Sequence, residues 1–263
     1  MDRGLLERSF EKIGAAVDFA ASPKFSVDVI HAKKTPSFFR LTSNEDEDLT
    51  ILDVQPSLRH LLLLRKDGNE KFRFLLGHDE RDWFVAGVPD NRAVSTVRAA
   101  MDALKPPEVL DSIQTKGLKR KHKNKRHNKA FIRQGEWFFI PVNENFKEHE
   151  IHRNEPIQRG RSKPHVVSEL VRVGGRTVYV HHRYPDGVSV EEYNRIIKQA
   201  RSESSLRFSL RIGWSRMTAD AIVYGRGTVR HPDHATIKLP GWHRIVTNTE
   251  DKASAMEFVA FLD

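Results

Sequence analysis

Lys116 to Arg133 reads KGLKRKHKNKRHNKAFIR, and the chain is patterned differently on its two sides. Nine of these eighteen residues are Lys or Arg, two are His and none is acidic. Without those nine, 35 of the 44 Lys and Arg remain against 35 Asp and Glu, so the formal charge of +9 sits in this one segment. Such a block repels itself and has no apolar face to bury, which predicts a solvated linker or arm between two folded units. The reading that follows is an α+β protein in three parts. Residues 1–110 form an antiparallel sheet with flanking helices, residues 111–133 the basic arm, and residues 134–263 a β-rich roll or barrel-like domain with one inserted helix.

A polyanion is the natural partner of such an arm. Nucleic acid is preferred over an anionic membrane, because no lipidation motif and no basic amphipathic helix accompany the block. RNA or a single strand is preferred over duplex, because no helix-turn-helix pattern is visible. The phosphate-binding candidates are Lys119, Arg120, Lys121, Lys123, Lys125, Arg126, Lys129 and Arg133, joined by Arg159, Arg161 and Lys163 from the later loop RGRSK. The plainer alternative for the block is a solvated tether.

Composition narrows the chemistry. The chain has 263 residues, 38% hydrophobic and 30% charged, and contains no Cys. Disulfides, thiolate zinc sites and Cys nucleophiles are therefore excluded, and any metal must be held by imidazole and carboxylate. The start has charges throughout and no apolar core of a signal peptide, and no run approaches the roughly 20 apolar residues that span a bilayer. The expected address is the cytoplasm, with no membrane partner.

In the first half, Leu5, Leu6, Phe10, Ile13, Ala16 and Val17 recur at helical spacing and predict a helix over about 4–20. Strands follow over 25–30, 38–42, 49–54, 58–64, 72–76 and 83–88, with a hairpin at Lys66-Asp67-Gly68-Asn69. A helix over 93–104 ends before Pro106-Pro107. The cluster from Gly77 to Trp83, GHDERDW, reads as a polar hairpin loop in which Asp79 caps the turn, in preference to an acid–base site.

In the second half, the run from Gln134 to Val142 predicts a buried strand. Its aromatics are assigned to the core, with Phe131 or Trp137 as a base-stacking surface the lesser alternative. A strand from His165 to Leu170 leads to a hairpin centred on Gly174-Gly175. Ser189-Val190-Glu191-Glu192 is a capping box for a helix over 190–202. Near the end, GTVRHPDHATIKLPGWH runs from Gly227 to His243. Pro232 breaks a regular strand there, so the rings of His231 and His234 and the Asp233 carboxylate can converge on a bend. His165 or His243 would complete a set able to hold a divalent metal, with Asp233 as a ligand or as a partner to one. The same residues would also suit a general base without metal, or plain hydrogen bonding at a bend.

Three segments, RQGEWFFIPV at 133–142, the 160–170 loop and strand, and RHPDHATIKLPGWHRIV at 230–246, together resemble a family of small bacterial and phage β-domain proteins. Its pattern runs Q-G-[DE]-x-x-x-I-P, then G-x-x-x-x-H, then H-x-[DE]-H-x-x-I-x-L-x-x-G. The resemblance implies a compact β-domain with a site at His165, His231, Asp233 and His234, and it names no reaction. The helix over 190–202 and the basic RGRSK depart from that pattern. Nucleic-acid binding is the leading function. The alternatives are a metal-dependent hydrolase or oxygenase built on the His cluster, and an assembly component that recruits an acidic protein partner.

Overall fold

The computed structural model describes residues 3–31, 36–44, 46–90, 93–159, 163–202, 212–250 and 254. Helix α1 (Arg3–Lys12) is shorter than its apolar spacing suggests. Gly14, at φ +77°, ends it, and Val17 begins strand β1 (Val17–Ala21). Strands β2 (Ser26–Ile30) and β3 (Phe38–Ser43) complete a three-stranded sheet of order β1-β3-β2. Because β1 runs parallel to β3, the first half is not wholly antiparallel.

Next comes a four-stranded antiparallel meander of β4 (Asp48–Gln55), β5 (His60–Asp67), β6 (Glu70–Asp79) and β7 (Asp82–Gly87). Asp67 pairs with Glu70, leaving Gly68-Asn69 as the two-residue turn of the expected hairpin, with Gly68 at φ +58°. Strand β5 is apolar from Leu61 to Leu64 because both of its faces are covered. Leu61 and Leu63 join Phe72, Phe74 and Leu76 against α1 and the small sheet. Leu62 and Leu75 face helix α2 (Val97–Ala103) instead. Thr96 caps α2 by accepting the Ala99 N–H.

Pro106-Pro107 ends one helix and starts another. Pro107 takes the first position of α3 (Pro107–Thr115), where its missing N–H costs nothing. Val109 and Ile113 of α3 pack on Ala130, Phe131, Phe138 and Ile140. The segment expected to be a solvated arm is thus folded onto the protein. Its few apolar residues sit at its ends, and Asn128 turns the chain between them. The Asn128 side chain donates to Lys125 O at 2.9 Å and accepts from Ala130 N at 2.8 Å and Phe131 N at 3.1 Å. Arg133 N donates to Arg126 O at 2.7 Å.

The second half is β-rich without a closed barrel. Strands β8 (Ile132–Gln134), β9 (Trp137–Pro141), β10 (His152–Ile157) and β11 (His165–Val173) lie in one sheet with two later strands. Strand β12 (Arg176–His181) leaves that sheet to pair with β13 (Tyr184–Ser189) and β14 (Ser215–Ala219). Helix α4 (Val190–Ser202) follows β13 within the range its capping box indicates. Strands β15 (Ile222–Arg230) and β16 (Ile237–Thr247) complete the antiparallel order β10-β11-β15-β16-β9-β8.

Gly174-Gly175 is therefore not a hairpin turn. Val173 pairs with Ile222 and Arg176 with Ala219, so one two-stranded ribbon passes from sheet to sheet and bends at this point. Both glycines have positive φ, and a Cβ on Gly175 would meet Ala219 O at 2.7 Å. No helix among the described residues is long and apolar enough to cross a membrane.

Candidate metal centre

Strand pairing brings the histidines together. His165 opens β11, and its neighbour Val166 pairs with Arg230, the last residue of β15. His231 therefore begins beside His165, and the bend at Pro232 carries His234 back over both rings. The ring centroids of His165 and His231 are 4.1 Å apart, those of His231 and His234 4.6 Å, and those of His165 and His234 5.5 Å. One nitrogen from each ring lies within 4.8 Å of the other two. Nitrogens bound to zinc at about 2.0 to 2.1 Å stand roughly 3.3 Å apart, so side-chain rotations closing about 1.5 Å would form a site.

Each ring is differently prepared. His165 is 1% exposed, and neither of its nitrogens has a hydrogen-bond partner among the described residues. A buried imidazole with both polar atoms unmet loses its hydration without compensation, which is costly unless a ligand supplies a bond. Burial first, and then His231 and His234, push its pKa down to about 3, so it is neutral and offers a lone pair. His234 faces Glu80 through Nδ1 at 3.1 Å. Donation to that carboxylate leaves its Nε2 free, the arrangement in which a carboxylate orients a metal-binding imidazole. His231 Nε2 lies 3.3 Å from Lys163 O, and its Nδ1 meets the Asp233 N–H at 3.1 Å. With Nε2–H donating to the carbonyl, Nδ1 carries the lone pair, and a metal would replace the Asp233 contact.

The floor of the site is the turn between β8 and β9. Gly135, at φ +56°, packs so closely that an added Cβ would lie 2.9 Å from His234 Nε2 and 3.5 Å from His165 Nε2. The flanking residues also carry unmet buried atoms, Gln134 Oε1 and Trp137 Nε1, although Gln134 Nε2 donates to Ala235 O at 2.6 Å. Trp137 lies edge-on to His165, with centroids 6.3 Å apart.

Asp233 and His243 stand apart from the trio. Asp233 is half-exposed and pairs with Lys163 at 2.9 Å. Burial would raise its pKa, but Lys163 outweighs that and holds it low. His243 is buried within β16, with Nδ1 2.7 Å from Gly241 O.

The GHDERDW cluster forms the β6–β7 hairpin turn as expected, and two of its residues also make contacts far along the chain, Glu80 with the histidine site and Asp79 with the basic segment. Glu80 occupies the β6–β7 turn at φ +51° and accepts from Ala235 N at 3.1 Å as well as facing His234. Asp79 binds both Arg126 and Arg133, and Arg126 also reaches Glu80 at 3.0 Å. Burial would raise the Asp79 carboxyl, but Arg133 and Arg126 hold it below its usual range. Partners 47 to 155 residues away carry no local sequence signal.

The phosphate-binding candidates divide accordingly. Arg126 and Arg133 hold Asp79, Arg159 holds Glu250 at 2.6 Å and Asn248 at 2.7 Å, and Lys163 holds Asp233. Arg161 lies outside the described residues. Lys119, Arg120, Lys121, Lys125 and Lys129 are exposed and Lys123 is half-buried. These six have no salt bridge to any described carboxylate. Phe131 and Trp137 are 2% and 9% exposed, so neither presents a face for base stacking.

No protein-family model, curated protein or solved structure matches this chain.

Proposed function

We propose that the protein is a metal-dependent hydrolase whose centre is His165, His231 and His234. The observation that carries this reading is His165, buried with two nitrogens unpartnered among the described residues inside a group of three converging rings. Three protein ligands leave a coordination position open, as in catalytic zinc sites. A metal bound there would lower the pKa of its water toward about 7. Held by His165, His231 and His234, such a metal would supply a hydroxide nucleophile for hydrolysis of a phosphoryl or carbonyl ester. The test is metal content and Zn²⁺ titration of purified protein. About one equivalent is expected in the wild type and none in His165→Ala, and equal binding by both would refute the assignment.

A second reading, nucleic-acid binding, is favoured by the six cations of residues 119–129 that lack carboxylate partners among the described residues. Phosphates that displace condensed counterions give a log affinity falling with log salt, at a slope of about −4 on a single strand or about −5 on duplex if all six engage. Changing Lys119, Arg120, Lys121, Lys123, Lys125 and Lys129 to Gln should flatten that slope for all sequences alike. Arg126 is kept because it anchors the segment to Asp79 and Glu80. No binding by wild type at low salt would return the segment to a plain solvated surface.

A further inference from the structure

A cavity of about 240 Å³ lies between the meander and the six-stranded sheet. One wall is Asn124 of the basic segment, and another is Gly135 and His234 of the candidate metal centre. The cavity thus adjoins both features on which the functional readings rest. That volume is less than the roughly 300 to 1,000 Å³ of drug-sized pockets and suits one small ring.

The lining discriminates among ligands. Its carboxylates are Asp79, Asp82, Glu136 and Glu250, whereas its permanent cations are Lys105 and Arg133. Lys105 is already satisfied by Asp102 at 2.6 Å and Asn124 Oδ1 at 2.5 Å. Asp79 is taken up by Arg126 and Arg133, Glu250 by Arg159 and Lys105 by Asp102, so the lining keeps no spare cation for a phosphate, while the segment 119–129 carries cations without carboxylate partners among the described residues. The two surfaces sort a nucleotide into its parts. Phosphates belong on the segment, and a neutral ring belongs in the cavity.

The walls also hold groups that such a ring would satisfy. Trp83, Phe84 and Phe138 supply aromatic surface. The Arg133 guanidinium and the Glu136 carboxylate both line the cavity, and no hydrogen bond is made by that carboxylate among the described residues. A nucleobase edge presents both an acceptor and an N–H donor, and so matches this pair.

We infer that the cavity receives one nucleobase of a strand lying along residues 119–129 and holds it beside the metal centre. This inference rests on both readings of the preceding subsection. A base leaving its stack costs least in a single strand, so that is the substrate class assigned.

The test uses full-length protein and a single strand of about twelve nucleotides carrying one 2-aminopurine, a length within the usual span of single-strand sites. Bound wild type should change the probe's emission by about twofold or more, since a base in an aromatic pocket leaves its neighbours in the strand. Met101→Trp, which fills the cavity, should remove most of that change while strand affinity stays within about twofold, because affinity is set by phosphate contacts. Glu136→Gln, which removes an acceptor at constant size, should reduce the change with the melting temperature unaltered. Strand binding with no emission change, or a change surviving in both variants, would overturn the inference. No strand binding at low salt would overturn the nucleic-acid reading and this inference with it. Emission change without zinc binding would remove the metal reading alone, and with it the cavity's role in presenting substrate.

Discussion

Replacing Asp79 by Asn tests the joint between the two halves. Asp79, on the β6–β7 hairpin, is the shared anion for Arg126 and Arg133, and its side chain is 16% exposed. Removing one partner of a buried pair costs about 3 to 5 kcal/mol when the remaining charge has no alternative. Here Arg126 keeps Glu80 and is 36% exposed, so it contributes little to the loss. Arg133, 24% exposed and with its Nε already unpartnered, bears most of it. The expected cost is about 2 to 3 kcal/mol, which at roughly 2 to 4 °C per kcal/mol lowers the melting temperature by about 4 to 12 °C. The pH dependence has a definite sign. The folded-state pKa of Asp79 is depressed, so its contribution is present above the unfolded value of about 3.9 and is lost as pH falls through the folded one. Urea unfolding of wild type and variant across pH 3 to 8 should show a constant gap from about pH 5 upward, shrinking below about pH 3.9. A gap under about 0.5 kcal/mol at pH 7, or one undiminished at pH 3, would refute the assignment of Asp79 as the ionised link.

Glu80→Gln should weaken Zn²⁺ binding by about 10- to 100-fold while leaving stoichiometry unchanged, measured by competition with a chelating dye; unchanged affinity would remove Glu80 from its orienting role. Gly135→Ala should abolish metal binding, because the new methyl would lie 2.9 Å from His234 Nε2, and should also lower stability by about 1 kcal/mol through strain at φ +56°. Leu62→Ala, at a fully buried position of β5 facing α2, should cost about 3 to 5 kcal/mol in chemical denaturation without touching metal affinity. A loss below about 1 kcal/mol would place Leu62 outside the core.

What the sequence discloses follows the range of the interactions involved. The hairpin at Gly68-Asn69 and helix α4 are legible because a two-residue turn and a capping box are local chemistry. Pro106-Pro107 signals a break equally well whether a helix stops or starts, and only packing on Phe131 and Phe138 decides for α3. Gly174-Gly175 carries a hairpin signal, but strand partners 35 to 43 residues later divert β12 into another sheet. The charge block is misread for a related reason. Its repulsion argues for a solvated arm only while its counter-charges are unknown, and those sit on the GHDERDW turn. His231 and His234 are suggested by a proline bend, whereas Glu80 is invisible until the β6–β7 turn is placed beside that bend.

Arg126 gives the arrangement its logic. It is a member of the basic block, yet its guanidinium is taken up by Asp79 and Glu80, and Glu80 is the carboxylate that faces His234. One side chain therefore fixes the position of the cationic segment and steadies an imidazole of the candidate metal centre. The division of charge continues this pattern. Residues that anchor the segment are neutralised at close range, whereas Lys119, Arg120, Lys121, Lys123, Lys125 and Lys129 have no salt bridge to a described carboxylate. Local pairs persist in salt because they are partly buried, while the free cations are screened within about 8 Å at physiological ionic strength. Salt should therefore release a bound polyanion without loosening the centre, so strand affinity and metal affinity respond to ionic strength separately. That separation distinguishes a folded basic surface beside a metal centre from a flexible tether that merely links two domains.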